Sequence, residues 1–223
     1  MLPVVRALSE AGLRVSIDTM NADTALAAVG AGARLVNDVS GGLADPAMLA
    51  AVASVDAEVV LQHWRGHSAE MYAGARYNDV AGEVAAELAA RVEVAVAAGI
   101  RPERIVLDPG IGFGKTPEQS WQVLRELPRI VALGHRVLVG TSRKGMLRDA
   151  LGFAAADAAH ADPSFARRDL ATAVTTALAA RAGAWAVRVH DVAASRDALA
   201  VVAAWDGMGA LPAGELVTQE AAS

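Results

Sequence analysis

The chain repeats one pattern along its length: a short apolar run rich in β-branched residues, then a polar loop, then an alanine-rich helical stretch. Short apolar runs bounded by polar residues are typical of strands buried on both faces of a parallel sheet. Six are present: RVSIDT (14–19), RLVND (34–38), EVVLQH (58–63), RIVLDP (104–109), RVLVGT (136–141) and WAVRVH (185–190). Strands that alternate with helices need crossover connections, so the pattern predicts an α/β fold with a parallel sheet.

Apolar periodicity predicts the helices between these strands. The clearest apolar stripe is an i, i+4 ladder formed by Val80, Val84, Leu88, Val92 and Val96. We expect this helix to end at Gly99, just before Pro102. Other helices are expected at about 2–11, 21–30, 45–53, 117–132, 168–182 and 194–205. The stretch 153–166, which contains Pro163, predicts a surface loop or a broken helix.

Two architectures fit this order of elements, a (β/α)8 TIM barrel and an open doubly wound sheet. Nearly every predicted strand delivers a polar group at its carboxyl end. These groups are Asp18, Asn37, His63, Asp108, the loop after Gly140, and His190. In a barrel such ends meet at one mouth, whereas an open sheet gathers only the ends beside its switch point. We therefore predict a barrel, as a single domain over residues 1–206, followed by a disordered tail over 207–223.

Composition excludes several classes of protein. Hydrophobic residues make up 54% of the 223, which indicates a globular interior, and a net charge of -5 gives no basic field for nucleic acid. The chain has no cysteine, which excludes disulfides and is compatible with a reducing cytoplasm. No apolar run reaches the ~18 residues that a membrane span requires. We expect a cytoplasmic protein that binds neither nucleic acid nor membrane.

The most concentrated motif is DPGIGFGK at 108–115. It is not a P-loop, because the glycine required five residues before the Gly-Lys pair is replaced by Pro109, and its glycine spacing does not match a dinucleotide fingerprint. Three alternate glycines instead permit close backbone approach to a flat ligand. A buried Asp108 would need a partner that donates two hydrogen bonds. The chain has only two lysines, Lys115 and Lys144, and both lie in such loop motifs.

The segments SIDT, NDVSGG, HWRG, LDPGIGFGK, GTSRK and RVHDV, in this order and spacing, resemble the dihydropteroate synthase family of pterin-binding enzymes. The resemblance runs from about residue 3 to residue 205. It implies a transferase of folate biosynthesis. Such an enzyme condenses 6-hydroxymethyl-7,8-dihydropterin diphosphate with p-aminobenzoate to give 7,8-dihydropteroate and diphosphate. It also implies Mg²⁺ as cofactor and a homodimer that pairs through helices near the carboxyl-terminal end.

The resemblance also implies a role for each matching residue. Catalytic roles fall to Asp18, Asp108 and Lys144. The implied pterin site comprises Asp18, Asn37, Gln62, Asp108, Phe113, Gly140 and Lys144. The implied diphosphate site comprises Arg188 and His190, and the p-aminobenzoate site comprises Phe113, Ser142 and Lys144. No metal ligand is expected in this chain, because the family's magnesium-orienting asparagine lies in a segment that does not appear here.

Simpler interpretations of the same residues stay open at this point. Asp18 and Asn37 could equally be N-caps of the helices that follow their strands, since both residue types are favoured there. His63 is more simply a packing residue, or one that supports the site from behind. Arg65 and Arg143 could be solvated charges, although their loops also suit contact with an anion.

The chain departs from the family pattern in two ways. Gln62 occupies a position where the family usually has methionine, which predicts altered pterin affinity. The family's opening strands, with their NVTPDSF and GGESTRPG segments, do not appear, so about six of eight strands are expected. A barrel of eight parallel strands cannot close on six. We expect a fragment or a start codon assigned downstream of the true one; the alternative is a truncated, non-catalytic paralogue that binds pterin or acts as an interaction protein.

Overall fold

The computed structural model describes residues 1–66, 76–152 and 164–208. The predicted loop over 153–166 and the predicted tail over 207–223 lie almost entirely outside the described residues. Within the described parts of the chain, no helix is both long and apolar enough to cross a lipid bilayer.

Six parallel strands form one sheet. They are β1 (Ser16–Asp18), β2 (Leu35–Asp38), β3 (Glu58–Gln62), β4 (Ile105–Asp108), β5 (Arg136–Val139) and β6 (Ala186–Val187). Each strand pairs with the next along the chain, so the order in the sheet is the order in the sequence. A doubly wound sheet would reverse direction at a switch point. The sequential order confirms the barrel-type α/β topology.

The sheet curls, so that the carboxyl ends of its two outer strands approach each other. Arg188, directly after β6, donates from Nη2 to Asp18 Oδ2 at the end of β1, at 2.9 Å. The two residues are 170 positions apart in sequence. No pairing of β1 with β6 occurs among the described residues, so the six strands form an incomplete barrel whose carboxyl ends face a common mouth.

The alternation of side chains along each strand explains why the predicted site residues converge. Val59, Leu61, Ile105 and Leu107 belong to the large core between sheet and helices, whereas Val60, Val106 and Leu138 form a separate buried cluster inside the curl. Residues two positions apart share a face of a strand. Gln62, Asp108 and Gly140 therefore follow Val60, Val106 and Leu138 on the inner face, one layer nearer the mouth.

Helices surround the sheet. In the described residues they are α1 (Leu2–Glu10), α2 (Ala22–Gly30), α3 (Met48–Ala53), α4 (Val80–Ala97), α5 (Pro117–Arg125), α6 (Leu127–Val131), α7 (Gly145–Ala150), α8 (Phe165–Arg181) and α9 (Val192–Trp205), with a 3-10 turn at Pro102–Arg104. Two predictions need correction. The helix expected over 117–132 is interrupted at Glu126, because Pro128 lacks the N–H that a continuous helix would use. The valine ladder of α4 is buried at Val80 but exposed at Val96, since each step of four residues rotates by about 40° around the helix.

Candidate active site

A cavity of about 260 Å³ opens at the carboxyl ends of the strands. It is lined by Asp18, Asn37, Val39, Gln62, Asp108, Phe113, Gly140, Ser142, Lys144 and Arg188. Apart from Val39, all of these residues belong to the set singled out from the sequence. His190 is the one member of that set outside the lining, and it lies at the rim, where its Nδ1 is 2.7 Å from Ser142 Oγ.

Asp108 lies at the end of β4 and is only 5% exposed. Its Oδ1 accepts a hydrogen bond from the backbone N–H of Gly110 at 2.7 Å. Burial raises the pKa of this carboxyl above its ordinary value, although the positive charge of Lys144 opposes the shift. A carboxylate buried at the wall of a cavity is suited to a ligand that presents paired N–H donors.

Asp18 and Asn37 are partners in the sheet register and in side-chain contact. Asn37 Nδ2 donates to Asp18 Oδ2 at 3.0 Å, while Asn37 Oδ1 is buried without a hydrogen-bond partner among the described residues. The capping interpretation is wrong for both, because Asn21 caps α2 and the N-cap of α3 is Ala47. A buried carbonyl oxygen without a donor is costly, so Asn37 is suited to accept a hydrogen bond from a ligand.

The side-chain amide N–H of Gln62 already has a hydrogen-bond acceptor within the protein. Its Nε2 donates to the backbone carbonyl of Val39 at 3.3 Å, and the residue is 4% exposed. Gln62 also lines the cavity. This packing is compatible with the predicted contact to a planar ring.

Lys144 and Phe113 form one wall of the cavity. Lys144 Nζ lies 4.6 Å from the centroid of the Phe113 ring, within range of a cation–π interaction, and donates to the carbonyl oxygen of Ile111. Burial lowers the pKa of Lys144 to about 8, against the opposing attraction of Asp108. Lys144 thus remains largely a cation at neutral pH and lies between the aromatic ring and the carboxylate side of the site.

The loop that carries Ser142 and Lys144 is anchored from behind by α8. Arg143 adopts a left-handed conformation, with φ of 58°, which turns its side chain away from the cavity. Its guanidinium donates from Nε and Nη2 to the two carboxylate oxygens of Asp169, both at 2.8 Å. Thr141 Oγ1 contacts Thr175 Oγ1 at 2.8 Å. Ser142 and Lys144, on either side of Arg143, consequently face the mouth.

The interpretation of Arg65 and Arg143 as solvated charges is wrong, because both guanidiniums have carboxylate partners. Arg143 forms a bidentate ion pair with Asp169, as described above. Arg65 donates to Glu83 at 2.8 Å and to Glu87, and its guanidinium stacks over the Tyr77 ring at 3.8 Å. Both guanidiniums have carboxylate partners within the protein and serve to hold loops.

Sequence reasoning assigned no role to Lys115, although it interpreted His63 as a packing or supporting residue, and the two lie together beneath the cavity. Lys115 is 1% exposed, and its ammonium contacts His63, whose other ring nitrogen faces Glu87. Burial lowers the pKa of Lys115 to about 7, against the attraction of Asp108. The available signal was the retention of a lysine inside a glycine-rich loop in a chain with only one other lysine.

The described residues contain no cluster of metal-ligating side chains. Among residues 1–66, 76–152 and 164–208, no three His, Cys, Asp or Glu side chains are grouped so that they could hold a metal ion. The cavity carboxylates Asp18 and Asp108 are instead engaged by Arg188 and Asn37 and by Gly110, respectively. The described residues therefore do not fit a protein-bound magnesium ion.

Comparison with known proteins identifies the family to which this site belongs. The model of the family described as "Pterin binding enzyme" matches residues 1–190. The chain belongs to the pterin-binding enzyme family. The match includes every strand and every residue that lines the cavity.

Within this family, the similar proteins are dihydropteroate synthases. The chain is 53% identical over 206 residues to the dihydropteroate synthase of Mycobacterium leprae, covering 92% of this chain and 71% of the relative. The solved structure of the Xanthomonas albilineans synthase with 7,8-dihydropteroate has a TM-score of 0.80 at 36% identity, covering 95% of this chain and 75% of that one. The Thermus thermophilus synthase with 4-aminobenzoate has a TM-score of 0.81 at 41% identity, covering 91% and 75%.

Proposed function

We propose that the chain is a dihydropteroate synthase, which joins 6-hydroxymethyl-7,8-dihydropterin diphosphate to p-aminobenzoate and releases diphosphate. The observation that carries this proposal is the convergence of Asp18, Asn37, Asp108, Lys144 and Arg188 on one cavity. That set combines acceptors for a heterocycle with cations for a diphosphate. The family membership and the relatives with bound dihydropteroate and 4-aminobenzoate support the same reaction.

The pterin is proposed to bind at the inner layer. Asp108 would accept hydrogen bonds from the ring N–H and the exocyclic amine of the pyrimidine edge, which together form the fork that a carboxylate accepts. Asn37 Oδ1, buried and without a protein donor among the described residues, would accept a further N–H. Gln62 and Gly140 would pack against the ring.

The diphosphate is proposed to bind at the rim, where Arg188 and His190 lie. Arg188 can engage two oxygens of one phosphate at once, and His190 adds a donor beside it. Arg188 is paired with Asp18. Binding of the diphosphate would therefore draw Arg188 at least partly away from Asp18.

The p-aminobenzoate is proposed to lie against Phe113, with Ser142 and Lys144 as its polar neighbours. The flat ring of Phe113 suits stacking with a second aromatic ring. Lys144 borders both proposed substrate positions, since it also lines the cavity with Asp108. It would thus help to align the amine with the pterin methylene carbon.

The proposed chemistry needs little acid or base help. The C–O bond between the pterin methylene and diphosphate breaks with its electron pair leaving on the diphosphate, and the resulting carbon cation is conjugated with the ring. Asp108 and Asp18 stabilise this cation electrostatically, while Arg188 and His190 stabilise the departing anion. The p-aminobenzoate nitrogen then forms the new C–N bond and releases one proton to solvent.

Three further properties belong to the proposal. Magnesium is expected to arrive bound to the diphosphate of the substrate rather than on a protein site. A homodimer is expected through α8, which exposes Leu170, Val174 and Leu178 as one i, i+4 row. The cytoplasm remains the expected location.

The decisive experiment incubates the purified 223-residue chain with the pterin diphosphate, p-aminobenzoate and magnesium, and measures dihydropteroate by mass spectrometry. Calorimetry of pterin binding is run on the same preparation. Product is the expected result. Absence of product from a folded chain that still binds the pterin would contradict the proposal and favour a non-catalytic pterin-binding protein.

A further inference from the structure

The side chain of Lys115 turns back beneath its own loop. Its ammonium nitrogen lies 3.1 Å from the carbonyl oxygen of Gly110, 3.1 Å from that of Phe113 and 2.9 Å from His63 Nδ1. The residue is 1% exposed, so water cannot substitute for these contacts. The loop is thus folded around a buried cation that belongs to the same segment.

The hydrogen-bond pattern fixes the number of protons in this group. Glu87 Oε2 lies 3.0 Å from His63 Nε2, and a carboxylate can only accept, so His63 carries its proton on Nε2. The Nδ1 atom of a neutral His63 is then an acceptor. Lys115 faces three acceptors and needs three N–H groups, which only the ammonium form has.

Transfer of a proton from Lys115 to His63 preserves the pattern. A charged imidazole would donate from Nδ1 to the lone pair of the amine, and the two remaining N–H groups of Lys115 would still serve Gly110 and Phe113. The pair therefore holds one exchangeable proton in either arrangement. Without that proton, two N–H groups of Lys115 face three acceptors, and one contact must be lost.

The carbonyls bound by Lys115 flank the part of the loop that forms the site. Gly110, whose carbonyl Lys115 holds, donates its own N–H to Asp108. A side chain at Gly110 would meet the carbonyl oxygen of His63 at 2.3 Å, so the loop lies directly against the strand end that carries His63. Phe113, the other residue held, places its ring against Lys144.

We propose that Lys115, with His63 and Glu87, is a positioning group in which one proton shared by Lys115 and His63 fixes residues 110–113 and thereby the placement of Asp108 and Phe113. The proposal rests on the proposed function in one respect, that Asp108 and Phe113 contact the two substrates. Neither Lys115 nor His63 lines the 260 Å³ cavity in which the pterin is proposed to bind, so the group is proposed to act through the loop and not by touching the pterin.

The electrostatic surroundings place the loss of this proton near neutral pH. Lys115 is influenced by Asp108 and Glu87, which favour its charge, and by Lys144 and Arg65, which oppose it. Burial is the largest influence and lowers the pKa of Lys115 to about 7. Burial likewise lowers the pKa of His63, against the attraction of Glu87.

The first test is the variant Lys115→Met, which keeps the apolar stem and removes all three donors. Amide hydrogen exchange of residues 110–114 in the ligand-free protein is expected to become about tenfold faster or more. The Michaelis constants for both substrates are expected to rise about tenfold, with a smaller change in kcat. The matched control, Arg125→Met, removes an exposed cation on α5 and is expected to leave both measurements unchanged. A folded Lys115→Met protein with unchanged loop exchange would overturn the proposal.

A second variant decides the matter if Lys115→Met does not fold. Glu87→Gln keeps an acceptor for His63 but removes the negative charge that holds the proton. In the wild-type protein, loop exchange corrected for its intrinsic pH dependence is expected to increase with a midpoint near neutrality. Glu87→Gln is expected to lower that midpoint by about one pH unit or more, whereas Glu93→Gln on the same helix is not. An unshifted midpoint would overturn the proposal.

These measurements separate the positioning role from the proposed reaction. The pKa of Lys144, about 8, reflects burial, Asp108 and Arg188, so titration of Lys144 does not mimic a shift caused by Glu87. If the wild-type chain makes no dihydropteroate but loop exchange is faster in the variants, the proposed function is contradicted and the positioning role is supported. Product formation by the wild type, together with unchanged loop exchange in the variants, would support the proposed function and overturn the positioning role.

Discussion

Arg188 Nη2 donates to Asp18 Oδ2 at 2.9 Å, although the two residues are expected to serve different parts of one substrate. Asp18 is expected to face the pterin and Arg188 the diphosphate. The ion pair is well exposed, with 61% of the Arg188 side chain and 45% of the Asp18 side chain accessible. Exposed pairs contribute only ~0.2–1 kcal/mol, so a diphosphate can compete with Asp18 for the guanidinium at small cost.

This competition predicts opposite effects of Asp18→Asn on the two ligands. The variant removes the carboxylate that occupies Arg188, so the affinity for inorganic diphosphate is expected to rise about two- to fivefold. Pterin binding is expected to weaken, because an acceptor of the site is lost. Both affinities can be measured by calorimetry, with Asp23→Asn on α2 as the control. A weaker diphosphate affinity in Asp18→Asn would contradict the competition.

The variant Asp108→Asn should separate binding from stability. Replacing one carboxylate oxygen by an amine places a donor against the donors of the pterin, so pterin affinity is expected to fall about a hundredfold or more. Burial raises the pKa of Asp108, so the folded protein holds this charge at a cost and the variant should unfold at an equal or higher temperature. Calorimetry and thermal unfolding check the two effects. Asp56→Asn, at an exposed position remote from the cavity, is the control. An unchanged pterin affinity in Asp108→Asn would show that Asp108 does not bind the pterin.

The sequence predicted the fold well where a single strong pattern acts. All six strands are confirmed, most within one or two residues, because each is a short apolar run that must be buried. The exception is the last, expected over 185–190, in which only Ala186–Val187 is paired. The chain turns after Val187 so that Arg188 reaches across to Asp18, a tertiary contact that local pattern cannot anticipate. α7, with only six residues and a glycine at its start, also gave no detectable periodicity.

The cavity was predictable because strand alternation and the family motifs pointed to the same residues. The supporting contacts were not, because they join segments distant in sequence. Asp169 lies 26 residues from Arg143, and Lys115 lies 52 residues from His63. A charged residue in a loop motif can face solvent, a ligand or a distant carboxylate, and only the fold distinguishes these cases.

The anchoring of the Ser142 loop predicts the effect of Asp169→Asn. The amide cannot accept both guanidinium donors of Arg143, so the left-handed turn at Arg143 loses its main support. The Michaelis constant for p-aminobenzoate is expected to rise about tenfold, and the free energy of unfolding to fall by about 1–2 kcal/mol. Steady-state kinetics and denaturant unfolding measure these effects. Asp197→Asn on α9 is the control, and an unchanged Michaelis constant would show that Ser142 and Lys144 do not depend on this anchor.

The exposed apolar row on α8 predicts the effect of Val174→Glu on assembly. Val174 is 54% exposed between Leu170 and Leu178, and a charge buried without a partner in a dimer interface is strongly unfavourable. Sedimentation is expected to show a dimer for the wild type and a monomer for the variant. Val94→Glu, on an exposed position of α4, should leave the dimer intact. A wild-type monomer, or a dimeric Val174→Glu protein, would exclude this face as the interface.

The lowered pKa of Glu87 predicts how the free energy of unfolding depends on pH. The His63 ring, followed by Arg65, lowers the pKa of Glu87 to about 2 from an ordinary value of 4.5. A carboxyl whose pKa is lower in the folded state contributes stability above the unfolded value, and that contribution is lost as the pH falls through the folded value. The wild type should therefore exceed Glu87→Gln in free energy of unfolding by about 1 kcal/mol above pH ~5, a small figure because solvent screens the half-exposed carboxylate. The difference should narrow between pH ~4.5 and ~2. Urea unfolding across this range checks the effect, with Glu93→Gln as the control. A difference that stays constant down to pH ~2 would show that Glu87 is not held as an anion by His63 and Arg65.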